Sequence, residues 1–191
     1  MADDAVNYQN LSGFPSVTTI LRPYIDATWF TDEARGRGSA VHEACTAYLM
    51  GTLCPPLAPE HQPYFDSARR WINMAVDKVL LCEERLVDPV LRYCGKPDLI
   101  CTLRREPGAV LIDFKTSQAE YPAWKLQVAA YRKLAAGEKK IFTVRGLSVR
   151  LKSDGSGCLV KEYPANYERE FNIFQSLLNA HHYFYPTGGK P

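Results

Sequence analysis

The sequence lacks any apolar run of the length that a membrane-spanning helix needs, about 20 residues. Its first residues, from Met1 to Ala5, include two aspartates and no cation, so they lack the basic and then apolar pattern of a secretory signal or a transit peptide. We therefore expect an intracellular, cytoplasmic protein that does not act at a membrane. The net charge is only +2, so overall charge favours no class of partner.

Cysteine pairs at metal-binding spacing are missing as well. The six cysteines are scattered along the chain without a C-x-x-C pair. In an intracellular protein this distribution favours reduced, mostly buried thiols, and it gives no support to a zinc or iron–sulfur site. No internal repeat is present, and 191 residues is the length of one ordinary domain with a substantial core. We expect a single domain over residues 1–191.

The most informative stretch runs from Gly95 to Lys115, where two apolar segments flank a polar turn at residues 105–108. Two β-type runs around an Arg-Glu-Pro-Gly turn predict a hairpin. In such a hairpin Asp98 and Asp113 lie nearly opposite each other. Asp113 and Lys115 are two residues apart, so they share one face of their strand. Two carboxylates and an ammonium group therefore converge on one patch of the sheet.

Two interpretations of this patch are open from the residues alone. An Asp-x-Lys tripeptide is common and usually marks a solvated face with a salt bridge. Here Leu111 shares the face of the charged residues, and three apolar residues fill the other face: Val110, Ile112 and Phe114. A strand that is apolar on both faces is covered on both faces. Charges on a covered face are costly unless they are paired or hold an ion, so the patch is a candidate active site.

Hydrophobic periodicity predicts the other elements. Helices are expected at about residues 32–50, 62–80, 121–136 and 166–183, with glycine stops at Gly51 and Gly137. Strands are expected at residues 83–87, 90–94, 141–144, 147–151 and 158–160. Residues 16–21 are interpreted as an edge strand or a short ordered segment packed on the body. The core order is helix, strand, strand, strand, helix, strand, which predicts an α/β (α+β) fold with a central mixed sheet.

The helices contribute further polar candidates. His42 lies at the edge of the apolar stripe of the first helix, so a core-edge histidine and a site residue are both open. Gln127 and Tyr131 are one turn apart and share a face with Trp124. They either belong to a packing face that tolerates one amide or form a stacking and hydrogen-bonding pair at a substrate groove.

Charged residues outside the hairpin give weaker signals. Arg35 and Arg37 bracket Gly36 in the first helix and are candidates to face a phosphodiester backbone. Glu84 is a possible further carboxylate at the site, although Glu83 and Glu84 equally suit a solvated strand end. Residues 132–152 carry seven lysines and arginines and one acid, which is a modest hint of a polyanionic partner.

Four motifs together resemble the PD-(D/E)XK nuclease superfamily. Pro97-Asp98, followed after fourteen residues by Asp113-Phe114-Lys115, is similar to its defining motif. Gly38-x-x-x-His42 before it and Gln127-x-x-x-Tyr131 after it resemble the additional motifs of the RecB-like exonuclease branch. That branch includes CRISPR-associated and mitochondrial genome-maintenance exonucleases. The motifs occur in the family's order over about residues 35–152.

The resemblance implies a restriction-endonuclease-like core at about residues 32–152, with an N-terminal segment at 1–31 and a C-terminal strand and helix at 158–183. It also implies that Mg²⁺ or Mn²⁺ is bound by four groups: the side chains of His42, Asp98 and Asp113 and the carbonyl of Phe114. Lys115 then orients the attacking water and stabilises the transition state. Four residues are expected at the substrate: Gln127, Tyr131, Trp124 and Arg37. Either Tyr131 or Trp124 would offer a stacking surface.

One family feature is absent. Many relatives carry four cysteines for an iron–sulfur cluster, three of them near the C-terminus, whereas only Cys158 lies late in this chain. The resemblance therefore does not extend to that cluster.

The expected activity is metal-dependent hydrolysis of DNA, exonucleolytic and directed at single strands or frayed ends, in repair, recombination or replication. No base-reading module is visible in the sequence, which argues against a site-specific enzyme. Two alternatives remain: a non-catalytic nucleic-acid-binding module of the same fold and a structure-specific endonuclease.

Overall fold

The structure, a computed structural model, describes residues 13–25 and 31–186. Part of the predicted N-terminal segment 1–31 therefore lies outside the described residues, as do residues 187–191. The α-helices in the described ranges are α1 (Val17–Leu21), α2 (Asp32–Leu49), α3 (Gln62–Ala75), α4 (Ala123–Leu134) and α5 (Glu168–Phe184). None of the helices in these ranges is both long and apolar enough to cross a bilayer.

The strands are β1 (Val76–Cys82), β2 (Leu86–Asp88), β3 (Tyr93–Gly95), β4 (Leu99–Leu103), β5 (Ala109–Lys115), β6 (Thr143–Leu151) and β7 (Cys158–Tyr163). Five of them form one sheet in the order β1-β4-β5-β6-β7, while β2 pairs only with β3. Within the large sheet β5 and β6 are parallel and the other pairs are antiparallel. α4 is the crossover that a parallel pair requires. This mixed sheet with flanking helices confirms the predicted α/β fold and is consistent with a restriction-endonuclease-like core.

The predicted hairpin is formed by β4 and β5. Leu99 pairs with Ile112, so the next step of the antiparallel register places Asp98 opposite Asp113. The turn at the other end of the hairpin is exposed and contains Gly108, whose φ of 90° suits glycine. The two aspartates therefore meet at the open end of the hairpin, as its sequence predicts.

Helices cover both faces of the sheet. Residues of α1, α4 and α5 pack in one apolar cluster with Leu111 of β5, and residues of α2 and α3 pack in a second cluster with Phe114. Leu111 and Phe114 are buried. β5 is thus a central strand buried on both sides, as its apolar pattern predicts.

The predicted helix at residues 62–80 is wrong over its last five residues. α3 ends at Ala75, and β1 begins at Val76. Val79 continues the helical spacing set by Trp71 and Ile72, but the segment pairs with β4 through two irregularities in register. Pairing with a strand that is distant in sequence therefore overrides the local helical periodicity.

The strands expected at residues 83–87 and 90–94 do not lie beside the hairpin, because β1 occupies that position. The strand beside the hairpin is β1, whereas β2 and β3 pair with each other outside the large sheet. Of the three neighbouring strands β1, β4 and β5, each adjacent pair is therefore antiparallel, and the first of them is the segment at residues 76–82.

Of the two interpretations of residues 16–21, the structure shows the short ordered segment packed on the body and not the edge strand. Residues 17–21 form a helix with Val17, Ile20 and Leu21 buried, because Ser16 acts as its N-cap and its Oγ accepts a hydrogen bond from the Thr19 N–H at 3.1 Å. One other local prediction is corrected. Gly137 does not end the helix that contains α4. The chain passes into a π-helix over Ala135–Lys139, and Lys140 adopts the left-handed φ of 57°.

Arg132 of α4 is a buried structural residue. Its guanidinium group donates to the hydroxyl and carbonyl of Thr143 and to the carbonyls of Pro164 and Ala165, at 2.7 to 3.1 Å. It also lies 4.2 Å from the centroid of the Tyr167 ring. Arg132 therefore joins α4 to β6 and to the segment before α5, and it is not available to a polyanionic partner.

Candidate metal and catalytic site

Four elements deliver polar side chains to the open end of the β4–β5 hairpin. Asp98 directly precedes β4, and Asp113 and Lys115 lie at the end of β5. Glu83 follows β1, and His42 lies in the middle of α2. Because β1, β4 and β5 are neighbours in the sheet, their ends meet at one edge beneath α2.

α2 has clear start and stop signals. Thr31 caps it by accepting a hydrogen bond from the Ala34 N–H at 3.1 Å, and Gly51, with a φ of 67°, follows its end as predicted. A Cβ at Gly38 would lie 3.7 Å from Thr116 Oγ1, whereas one at Gly36 would meet no atom within 4 Å. Gly38 thus faces the residue that follows β5, whereas Gly36 has no neighbour among the described residues that would exclude a side chain.

His42 joins the helix to both strands of the hairpin. Its Nδ1 lies 3.2 Å from Asp98 Oδ1 and 3.9 Å from Glu83 Oε1. Its Nε2–H donates to the carbonyl of Phe114 at 3.0 Å, and the Phe114 N–H donates to Asp98 Oδ2 at 2.7 Å. These contacts bring His42, Asp98 and the Phe114 backbone together, three of the four predicted metal ligands.

The electrostatics of this group follow from burial and mutual attraction. Burial by itself lowers the pKa of His42, but the Asp98 carboxylate and hydrogen bonds to Asp98 and Glu83 raise it to about 10. Burial acts on Asp98 in the opposite sense, and the His42 imidazolium lowers the pKa of Asp98 below its ordinary value. In the absence of a cation, His42 and Asp98 therefore form an ion pair.

Asp113 and Lys115 form a second ion pair beside the first. Lys115 Nζ lies 2.7 Å from Asp113 Oδ2, and Asp113 Oδ1 is buried without a hydrogen-bond partner among the described residues. Burial and the nearby Asp98 carboxylate raise the pKa of Asp113, although Lys115 opposes the rise. A buried carboxylate oxygen without a partner is a group that a cation or a water molecule would satisfy.

Gln127 and Tyr131 hold Lys115 from α4. Lys115 Nζ donates to Gln127 Oε1 at 3.0 Å, and Gln127 Nε2 donates to the Tyr131 hydroxyl oxygen at 3.2 Å. Lys115 Nζ also lies 5.7 Å from the ring centroid of Trp124. These contacts fix the ammonium group on three sides.

The residues predicted at the substrate differ in their surroundings. Trp124 and Tyr131 are 5% and 4% exposed, so neither ring offers an open stacking face, and the predicted stacking surface is not present. Arg37 is half-buried, with its guanidinium 5.2 Å from the centroid of the Tyr64 ring. Arg35 is exposed and pairs with Asp32. Direct contact of Gln127, Tyr131, Trp124 and Arg37 with a substrate stays a prediction.

Glu83 is a site residue that the sequence did not distinguish from its neighbour. Its Oε2 lies 2.5 Å from Lys96 Nζ, and its Oε1 faces His42. Glu84, the carboxylate considered for the site, is exposed and pairs with Lys139 instead. Glu83 has a positive φ of 50°, and this turn of the backbone sends the two adjacent side chains to different places.

The side chains of His42, Glu83 and Asp98 fit a divalent cation. Their ligand atoms lie within 4.8 Å of one another. Carboxylate oxygens suit Mg²⁺, and an imidazole in the same set shifts the preference toward Mn²⁺. The donor set is thus compatible with the predicted metals, with Glu83 added to His42 and Asp98. The roles of Asp113 and the Phe114 carbonyl as ligands stay predictions.

Comparison with known proteins finds distant structural likenesses and no family assignment. No protein-family model matches the chain, and no curated protein matches it. Among solved structures, LHK-Exo in complex with dAMP is 16% identical, with a TM-score of 0.43 over 93% of each chain. SSO0001 is 14% identical, with a TM-score of 0.42 over 88% of this chain and 77% of that chain. Likenesses this distant assign no function, so the chemistry of the site has to carry the conclusion.

Proposed function

We propose that this protein is a divalent-metal-dependent nuclease that hydrolyses phosphodiester bonds of DNA. One observation carries the proposal: a group of buried Asp98 and partly buried His42 and Glu83 lies beside the Asp113–Lys115 ion pair. Four of these five residues belong to the sequence motifs that resemble the PD-(D/E)XK superfamily. Such a concentration of buried charge is costly to folding, which favours a chemical role over a structural one.

His42, Glu83 and Asp98 would hold the Mg²⁺ or Mn²⁺ ion, with Asp113 and the Phe114 carbonyl as further candidates. When bound, such an ion lowers the pKa of a water molecule and neutralises charge on a phosphate. At this group three carboxylates meet three cations, in the pairs Asp98–His42, Glu83–Lys96 and Asp113–Lys115, so a bound divalent cation would supply the net positive charge that attracts a phosphate. Substrate binding at this group is therefore expected to depend on the metal.

Lys115 would stabilise the negative charge that develops on the scissile phosphate and orient the attacking water. Its ammonium group is held at a fixed position by Asp113, Gln127 and the Trp124 ring. Preorganised charge of this kind is effective because it needs no rearrangement during the reaction. Gln127 and Tyr131 would then act mainly by positioning Lys115.

The finer proposal is exonuclease action on single-stranded DNA or frayed ends, in repair, recombination or replication. It is supported by the similarity of the Gly38-x-x-x-His42 and Gln127-x-x-x-Tyr131 motifs to the RecB-like branch. A linear and a circular single strand of the same sequence separate exonuclease from endonuclease action, because only the linear strand has an end.

The test is hydrolysis of end-labelled single-stranded DNA with Mn²⁺. We expect Lys115→Ala to lower kcat about 10²–10³-fold, the usual effect of removing one preorganised group at a developing charge. Lys125→Ala removes an exposed lysine ten residues away and serves as the control. Calorimetry with Mn²⁺ should show that the Lys115→Ala protein still binds metal. Undiminished cleavage by folded Lys115→Ala and Asp113→Asn proteins would rule out the mechanism.

A further inference from the structure

A groove of about 290 Å³ begins where β5 ends. Thr116 and Ser117, which follow Lys115 directly, form part of its wall. Most of the lining residues are polar, and they come from α3, the segment that follows β5, the end of β6, the β6–β7 connection and β7; they include Tyr64, Thr116, Gln118, Arg150, Lys152 and Asp154. The groove therefore extends away from the candidate catalytic lysine along the edge of the sheet.

Arg150 joins this groove to the candidate site. It is the register partner of Lys115 on the neighbouring parallel strand β6. Adjacent strands are about 4.8 Å apart, so the two residues start from neighbouring backbone positions. The Arg150 guanidinium donates to the Gln118 carbonyl at 2.9 Å, which holds it against the groove wall. A ligand in the groove would thus lie next to a phosphate held at Lys115.

The groove carries an excess of positive charge. Arg150 and Lys152 form no ion pair within 4 Å in the part of the chain that the structure describes, and Asp154 is the one acid in the wall. The Asp154 carboxylate accepts the Ser156 N–H at 2.8 Å. Arg37 does not line the groove, but its guanidinium lies 5.2 Å from the centroid of the Tyr64 ring in the wall, and its Nε is buried without a hydrogen-bond partner among the described residues.

Other cations of the basic tract at residues 132–152 form ion pairs or structural contacts outside the groove. Arg132 is buried in its structural contacts. Lys139 pairs with Glu84, and Arg145 pairs with Glu106 and Glu162. Arg150 and Lys152 are therefore the members of the tract that line a concave surface beside the site.

We propose that this groove binds the sugar-phosphate backbone of a nucleic-acid strand next to the scissile bond. This inference rests on the proposed nuclease function. Cations and hydroxyl groups suit phosphates, whereas the one aromatic ring in the wall, Tyr64, is 6% exposed and offers no face for base stacking. The groove therefore holds the strand without regard to sequence, and the protein needs a substrate several nucleotides long.

The test measures binding of a fluorescein-labelled single-stranded DNA 12-mer to the full chain in EDTA, over a range of salt concentrations. We expect the double variant Arg150→Gln/Lys152→Gln to bind about 10–30-fold more weakly at 0.1 M salt, and the slope of log affinity against log salt to fall by about 1.4, since each lost phosphate contact removes about 0.7. The charge-matched control is Lys78→Gln/Arg104→Gln, which removes two exposed cations near the β1–β4 edge of the sheet. Arg150→Lys/Lys152→Arg keeps both charges and should retain most of the affinity.

The outcomes separate this inference from the proposed function. If the glutamine double variant binds the 12-mer as the charge-matched control does, the groove proposal is wrong, even when the unmodified protein hydrolyses DNA. If the unmodified protein neither binds Mn²⁺ nor hydrolyses DNA but the double variant loses affinity, the groove proposal holds and the nuclease proposal fails. Two competitors test for general anion binding: inorganic phosphate at the same concentration of phosphate groups, and an acidic peptide with the same charge as the oligonucleotide. If either competes as well as an unlabelled oligonucleotide, the groove is a general anion site and the proposal is overturned.

Discussion

The two ends of the β4–β5 hairpin carry similar charges in opposite surroundings. At the turn end, Glu106 pairs with Arg145, and both side chains are accessible to solvent. At the open end, Asp98 and Asp113 are buried beneath helices, and their pKa values move in opposite directions. The strands that lead to the two ends are the same. Burial, and not the identity of the charged residues, therefore distinguishes a surface ion pair from a candidate site.

The largest effect on stability is expected at the open end. Asp98→Ala removes the acceptor for the Phe114 N–H and the partner of the partly buried His42. Breaking a buried pair by removing one member typically costs 3–5 kcal/mol, and we expect a loss of about 3 kcal/mol in the free energy of unfolding, since His42 can lose its proton once Asp98 is gone. Urea denaturation in EDTA measures it. A loss below about 1 kcal/mol would contradict the assignment of burial as the deciding difference.

An intermediate effect is expected from glycines at the two ends. A Cβ at Gly95 would lie 2.6 Å from Tyr131 Cε1, and one at Gly108 would lie 2.5 Å from Val144 Cγ1. We expect Gly95→Ala and Gly108→Ala each to destabilise the protein by about 1–3 kcal/mol. Only Gly95→Ala should also lower the rate of DNA hydrolysis, because Tyr131 supports Lys115 through Gln127.

Urea denaturation and hydrolysis of labelled DNA with Mn²⁺ check this pair of variants. Equal loss of activity in both would mean that the rate follows general stability and not the position of Tyr131. Gly36→Ala is a reference variant, which we expect to stabilise the protein and not to destabilise it. Its Cβ meets no neighbour within 4 Å in α2, so it should raise stability by about 0.5–1 kcal/mol.

The smallest effect is expected at the turn end. Glu106→Gln removes one partner of Arg145, which keeps its contact with Glu162 at 3.0 Å. Exposed ion pairs are worth about 0–1 kcal/mol, so the free energy of unfolding should change by less than about 1 kcal/mol and the rate of hydrolysis should not change. A loss as large as that of Asp98→Ala would remove the distinction between the two ends.

Local pattern and turn chemistry were sufficient to predict the hairpin and the meeting of Asp98 with Asp113. Both depend on residues close in sequence and on a strand register that the turn sets. The apolar residues on both faces of β5 also predicted its burial. These are properties of one continuous stretch, and they survive in the folded protein.

The contributions of β1 and Glu83 could not be predicted in this way. β1 continues the apparent helical spacing of α3, and it is a strand because it pairs with β4, some twenty residues later. Two irregularities in that pairing and the positive φ of Glu83 decide that Glu83, and not Glu84, faces His42. A shift of the register by one residue would place Glu84 where Glu83 lies, and nothing in the local sequence determines this register.

For Gln127 and Tyr131, the sequence predicts their mutual contact but not their partner. Their spacing correctly predicted that they stand together on one face of a helix, as their hydrogen bond shows. Which partner they meet depends on how α4 packs across the sheet. That packing buries the Tyr131 ring and turns Gln127 toward Lys115, so the pair supports the lysine from behind.

The buried guanidinium of Arg132 extends this support to the far side of the molecule. Arg132 directly follows Tyr131 in α4, the helix that contacts Lys115. The Arg132 guanidinium donates hydrogen bonds to the carbonyls of Thr143, Pro164 and Ala165. α4 cannot slide along its axis without breaking those bonds. A lysine at position 132 would keep the charge but lose the planar fork that spans several carbonyls. The position of the Lys115 ammonium group at the candidate site thus depends in part on the contacts of Arg132, which does not touch Lys115.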